Sequence, residues 1–277
     1  MITEEPENRD VPYFFENRDV PYFFENRDVP YFFASMSVEL KFEGGVARIF
    51  LDRAKRANAL DSQMLALLLQ AIQKAGANGD TRAVLLGGHG RAFCGGADVD
   101  ELSSLTEATA GAFVERIHRV CQALRELSVP VVARLHGAVI GAGLEIAAAC
   151  DLRIAAQGTK FSMPEVRLGI PSVVEAALLP RLIGSGRAAW LVLTGEPIDA
   201  RRAYEWGLVE EIGGDEAVER VVKSILAGDR VALKLQKELL QLWDEAPLAA
   251  SVTKSIELFG HSYTDGMPNR RMGKLRR

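Results

Sequence analysis

The chain reads as an α/β domain followed by a helical C-terminal region. Short apolar runs recur ahead of helical stretches over residues 38–155, glycine-rich connections separate them, and beyond Gly169 the pattern becomes almost wholly helical. With 277 residues, 48% of them hydrophobic, the chain can bury a substantial core.

The first 35 residues stand apart. The nonamer Glu-Asn-Arg-Asp-Val-Pro-Tyr-Phe-Phe occurs in perfect tandem at 7–15, 16–24 and 25–33. Nine residues with a proline cannot build the supersecondary unit of a solenoid repeat. The segment therefore reads as a duplication or cloning scar outside the fold, with Met36 as the expected natural start. Its acidic beginning leads into no sustained apolar run, against a secretory signal.

Residues 38–42 and 46–51 alternate around Gly44-Gly45 and predict a β-hairpin. Asp61 is placed to cap a helix through Met64 and Ile72. Residues 82–86 form a buried strand and 87–96 a glycine-rich connection. A helix over 110–127 stops before Pro130, and 131–135 is again a strand. Then follow a glycine-bearing loop at 137–143, a helix over 144–150 and a strand at 152–155. Helices are predicted at 173–183, 187–194, 199–206, 215–227 and from 231 to 259, ending in a polar, basic tail. The division is an α/β core over 36–230 and a helical region over 231–277.

A net charge of -4 and no lysine-rich helix face provide no field for nucleic acid. Cys94, Cys121 and Cys150 are widely spaced without a CxxC pair, so neither a disulfide framework nor a zinc site is predicted, and a reducing, cytoplasmic compartment fits. His89, His118, His136 and His261 lack metal-ligand spacing and are assigned structural roles. The most apolar stretch, 137–150, is shorter than the ~20 residues of a membrane span and contains Glu145.

Two loops are the candidate ligand site. Gly95 and Gly96 permit a tight turn after a strand, so that the Ala97 N–H faces a ligand. Gly141-Ala142-Gly143 does the same ahead of a helix, where unpaired N–H groups favour developing negative charge. Two such donors make an oxyanion hole. Glu145 lies in an otherwise apolar helix start, where a carboxylate without a task is costly, and Glu165 follows Pro164 among apolar residues. Acid/base chemistry and a cap or dipole role each account for either glutamate on these grounds alone.

Four stretches, RAKRANAL at 53–60, AFCGGAD at 92–98, HGAVIGAGLEIAAACD at 136–151 and FSMPEVRLG at 161–169, resemble in order the motif set of the enoyl-CoA hydratase/isomerase (crotonase) family. The likeness spans nearly all of 36–277. It implies a crotonase-like spiral of repeated ββα units with a C-terminal helical oligomerisation region, a homotrimer or hexamer, and a role in fatty-acid metabolism. The substrate it implies is an acyl-CoA thioester, with no metal and no cofactor beyond the coenzyme A of the substrate.

By the same resemblance Glu145, ionised, activates water toward the β-carbon, and Glu165, protonated, supplies a proton to the α-carbon. Two carboxylates in one desolvated site repel, so one keeps a proton. The Ala97 and Ala142 amides would hold the thioester oxygen, while Ala57, Ala59, Gly96, Asp98, Val99 and Gly141 would line the substrate path. Lys55 and Arg56 are either phosphate contacts or solvated loop charges. The implied activity is trans-2-enoyl-CoA hydration. Isomerisation or another acyl-CoA enolate reaction is an alternative, as is a CoA-ester-binding subunit without catalysis.

Two departures stand out. Where the family continues after Gly169 with a glycine-rich turn, this chain has Ile-Pro-Ser-Val-Val-Glu-Ala-Ala-Leu-Leu-Pro, in a region that borders the catalytic water and acyl pocket. Glu175 within it reads as a helix N-terminal residue stabilised by the dipole rather than a third carboxylate of the site. The basic tail also ends without the aromatic residue that the family leads one to expect.

Overall fold

The computed structural model describes residues 32–34 and 37–275; the rest of the tandem-repeat region and Met36 lie outside the described residues. Strands β2 (Val38–Glu43) and β3 (Val46–Leu51) form the predicted hairpin, turning at Gly44 and Gly45 with φ of 58° and 82°. Strand β1 (Phe32–Ala34) pairs antiparallel with β2, so the last residues of the region set apart above join the sheet edge. β4 (Ala83–Gly88), β5 (Val131–Leu135), β7 (Leu152–Ala155) and β10 (Glu211–Ile212) extend it in parallel, in the order β1-β2-β3-β4-β5-β7-β10. β4 is buried along its whole length, because helices cover both faces of a parallel sheet.

On one face lie α1 (Ser62–Ala77) and α3 (Glu107–Glu126), the latter preceded by the short α2 (Val99–Ser104). Asp61 caps α1 as expected, accepting from the Met64 N–H at 2.7 Å. Met64, Leu65, Leu68, Ala71, Ile72 and Ala75 make its buried stripe, at the spacing a helix requires to keep one side inward. On the other face α8 (Asp215–Ala227) sets Val218 and Val222 against Val46, Leu85, Val132 and Ile154.

A second, smaller sheet contains β6 (Ala138–Ile140), β8 (Lys160–Ser162) and β9 (Ile198–Asp199). Bridges from Cys94 to Val139 and from Leu60 to Ala97 continue this layer. Each parallel strand therefore hands the chain to the second layer and then to a helix or turn. β4 leads to 94–97 and α2, β5 to β6 and α4 (Ala142–Ala148), and β7 to β8 and the 3₁₀ turn Glu165–Leu168. This is the expected spiral of ββα units. β6 corrects the loop read at 137–143, and β8 was not anticipated; strands of three residues carry no readable period.

The helix expected over 173–183 is instead a 3₁₀ turn, Val174–Leu178, followed by α5 (Leu179–Ile183), since Pro180 lacks the N–H a continuous helix would pair with Ala176. α6 (Ser185–Thr194) and α7 (Ala200–Trp206) complete the core. The segment predicted from 231 to 259 is divided at Pro247 into α9 (Arg230–Glu245) and α10 (Leu248–His261), and the basic tail contains a further helix, α11 (Met267–Leu275). Among the described residues no helix is long and apolar enough to cross a membrane.

One buried ammonium fastens the C-terminal helices to the core. Lys237 of α9 donates to the Asp151 carboxylate at 2.8 Å and to the Leu124 and Val129 carbonyls at 3.1 and 3.0 Å. Removing one partner of a buried, hydrogen-bonded pair strands the others. Lys237→Ala is expected to destabilise the fold by ~2–4 kcal/mol, seen as a lowered urea midpoint.

Candidate active site

Residues 57–60 run beside 95–98. The Gly95 N–H donates to Ala57 O, the Leu60 N–H to Gly96 O and the Asp98 N–H to Leu60 O, each at 2.8 Å. This parallel bridge takes alternate amides, so the Ala97 N–H turns to the opposite side and has no acceptor among the described residues. Asn58, missed in the sequence reading, holds the pair of segments in place. Its amide donates to the carbonyls of His89, Ala92 and Phe93 at 3.0, 2.8 and 3.1 Å and its Oδ1 accepts from the Arg53 N–H at 2.8 Å. Ala57 and Asn58 both take left-handed φ, 53° and 56°; an asparagine after an alanine was the available signal.

The second loop crosses this one closely. At Gly96, φ 96°, an added Cβ would stand 2.9 Å from Ile140 O and 3.9 Å from Ala142 N, and at Gly143 it would press on Cys94 at 2.7 Å. Glycine at both positions lets the two backbones approach, which brings the amides of Ala97 and Ala142 to one place. The Ala142 N–H opens α4 and likewise has no acceptor among the described residues.

Both glutamates converge here. Glu145 follows in α4 and is 5% exposed. Glu165, half-buried, opens the turn after β8, and its carboxyl lies so close to Gly141 that any Cβ there would collide with Oε1. Ser172 donates to Glu165 Oε2 at 2.9 Å, and the Ala176 N–H donates to Glu145 Oε1 at 3.2 Å. Burial pushes the Glu145 carboxyl up to about 8. The charges of Glu165 and, less strongly, Glu175 act in the same direction, and the Ala176 hydrogen bond opposes them. Burial thus favours the protonated form of Glu145 in the free protein, whereas the resemblance assigns it the ionised role.

Ala57, Ala59, Gly96 and Asp98 lie together on the paired segments, and Gly141 beneath Glu165. Asp98, 2% exposed, spends its carboxylate on Arg53 at 2.6 Å, on Arg56 and on the Asp100 N–H that begins α2; burial raises its pKa, but these partners outweigh it and hold it below the usual range. Val99 is exposed at the outer end. Arg56 pairs with Asp98 and Asp100, while Lys55 is exposed. The three cysteines are free and buried, and burial lifts the Cys94 thiol to about 12, which keeps it un-ionised near neutral pH. A cavity of about 330 Å³ lined by Arg48, His89, Arg134 and Glu219 holds none of these groups. Its arginines pair locally, Arg48 with Glu219 and Arg134 with Asp215.

Glu175 does lie in the first turn of a helical segment, the 3₁₀ turn Val174–Leu178, but it is 5% exposed and its Oε1 lies 2.8 Å from His118 Nδ1. His118 is thus tied to a carboxylate adjoining Glu145. Sequence periodicity cannot show this, because the two residues are 57 positions apart.

A family model described as enoyl-CoA hydratase/isomerase matches residues 41–264. The chain belongs to that family. It is 36% identical over 234 residues to YngF of Bacillus subtilis, covering 82% of this chain and 89% of that protein. It is 31% identical over 234 residues to the short-chain-enoyl-CoA hydratase of Clostridium acetobutylicum, covering 82% and 90%. The crystal structure of enoyl-CoA hydratase from Thermoplasma volcanium superposes with a TM-score of 0.83 at 31% identity, covering 88% of this chain and 98% of that one. Family membership thus agrees with the spiral fold and with the order of the four motifs.

The buried carboxyl has a stability cost with a definite sign. Folding raises the Glu145 pKa from 4.5 to about 8, so the folded state binds the proton more tightly. Stability is then fully present below about pH 4.5 and falls as pH rises toward 8, by at most about 1.4 kcal/mol for each pH unit crossed. Glu145→Gln is expected to flatten this decline, raising Tm relative to the parent more at pH 8 than at pH 5 in a scanning-calorimetry series.

Proposed function

We propose that the chain is an enoyl-CoA hydratase that adds water across the trans-2 double bond of an acyl-CoA thioester. The observation that carries this reading is the convergence of Glu145 and Glu165 beside two unpaired backbone amides. The thioester oxygen accepts from the N–H groups of Ala97 and Ala142, which stabilise it as the acyl carbons become enolate-like. Each such donor is worth ~3 kcal/mol of barrier. Family membership and the hydratase named in Clostridium acetobutylicum support the same assignment.

The glutamates act as one unit that carries a single proton. Water lies between them, one carboxylate takes its proton as oxygen adds to the β-carbon, and the other carboxyl protonates the α-carbon. Resemblance places the starting proton on Glu165, whereas burial favours it on Glu145. A coupled pair titrates together, and transfer across the shared water reconciles the two assignments. Loss of the shared proton is expected as an alkaline limb near pH 8. Acid/base chemistry of this kind calls for no cofactor beyond the coenzyme A of the substrate.

Assembly as a trimer or dimer of trimers belongs to the same proposal. Leu248, Val252, Ile256 and Phe259 form an exposed apolar stripe along α10 at helical spacing, which supports it. Buried free cysteines suit a reducing cytoplasm, and the substrate class suits fatty-acid metabolism. Light scattering at micromolar concentration is expected to return three or six chain masses; a monomer mass overturns the assembly.

Glu145→Gln and Glu165→Gln are each expected to lower kcat by ~10²–10⁴, followed by loss of the crotonyl-CoA absorbance, with CoA-ester binding retained. The double variant should be little worse than the poorer single one, as for residues acting together. Full hydration in Glu145→Gln with failure in Glu165→Gln would instead indicate one-base chemistry carried by Glu165 and remove Glu145 from the catalytic assignment.

A further inference from the structure

The 3₁₀ turn Val174–Leu178 brings a third carboxyl to the reaction centre, and nothing in the glutamate-pair mechanism uses it. Glu175 is 5% exposed, its Oε2 is fully enclosed without a hydrogen-bond partner, and its Oε1 lies 2.8 Å from His118 Nδ1. The next residue, Ala176, donates its N–H to Glu145 Oε1 at 3.2 Å. His118 reaches outward from α3, its side chain 41% exposed. The preceding residue, Val174, holds φ at 40°, a left-handed conformation that is costly for a β-branched side chain. A half-satisfied buried carboxyl and a strained valine are both destabilising, and such costs gather where function over-determines the structure.

We propose that Glu175 is a positioning residue of the reaction centre, which through its buried charge and the adjoining Ala176 amide holds the Glu145 carboxyl in its reactive orientation and protonation. His118 anchors it from the solvent side. The proposal rests on the hydratase reading for its kinetic consequence and, for the coupling, on the geometry together with the charge of Glu175. The ionisable groups that Glu175 meets are Glu145 on α4 and His118 and Cys121 on α3, while Glu165 on the preceding turn acts on Glu145 and Cys150, beyond α4, on Cys121. From α5 the ionisable side chain is Arg181, which turns outward to Asp244. The negative charge of Glu175 is one of the causes that raise both the Glu145 carboxyl and the Cys121 thiol, burial being the largest for each. Its removal must then ease proton loss from Glu145.

The test is Glu175→Gln, nearly unchanged in shape. The rate of crotonyl-CoA hydration, as kcat/KM, is followed from pH 6 to 9.5, and Tm over the same range. The limb near pH 8 is expected to move to lower pH by about half a unit to one unit, with KM little altered, and the decline of Tm toward pH 8 should become shallower. In a Glu145→Gln background the substitution should leave the Tm profile unmoved. A purely structural role would lower activity at every pH without displacing the limb, and a limb and Tm profile both unmoved in a folded Glu175→Gln overturn the proposal. If the parent chain does not hydrate, the functional reading fails by itself, and the Tm series decides the coupling: a displaced profile upholds it and an unmoved one overturns it. Should Glu175→Gln not fold, His118→Ala is read in its place. That change withdraws the hydrogen bond to Glu175 and should displace the limb in the same direction by less, an unmoved limb again overturning the proposal.

Discussion

Glu145 occupies the first turn of a seven-residue helix whose other members are all buried and apolar. Taking a carboxyl out of water at such a position is costly, and burial accordingly favours its protonated form. The surrounding structure is arranged to hold it there. The Ala176 amide meets one of its oxygens, Glu165 lies over Gly141 on the near side, and α3 closes the region from behind with Cys121 and His118. The same low-polarity surround that raises the pKa would strengthen the hydrogen bonds of any ligand oxygen placed against the Ala97 and Ala142 amides.

Those amides depend on two chain segments lying closer than side chains allow. Glycine at 96 and at 143 is the condition for that approach, since an added Cβ meets Ile140 O in one case and Cys94 in the other. Asn58 supplies the complementary attraction, tying the outer segment to three carbonyls with one amide group. The second layer of the spiral is therefore short and irregular by necessity. Its strands turn amides toward the site wherever their own pairing skips one, as the bridge between Leu60 and Ala97 does.

The turn after Glu165 shows how this chain varies the arrangement. Glycines at such a turn would adopt left-handed backbone freely, whereas here Val174 adopts it under strain and Glu175 follows it into the interior. The result is a third carboxyl in the site region, anchored on α3. Lys237 makes a comparable polar attachment, its ammonium gathering Asp151 and two carbonyls and fixing α9 on the core.

Much of this was legible in the order of residues. Alternation around Gly44-Gly45, the Asp61 cap, the apolar stripe of α1 and the four motifs carrying Glu145 and Glu165 are local features, and local periods and spacings survive in any tertiary setting. Residues 138–140 and 160–162 could not be read as strands, because three residues show no period and their pairing partners lie about 20 positions away. The burial of Glu175 on His118 and the rise of the Glu145 pKa were decided by tertiary structure alone. Desolvation and charge proximity depend on which segments the fold brings together, and a linear chain does not specify those distances until it has folded.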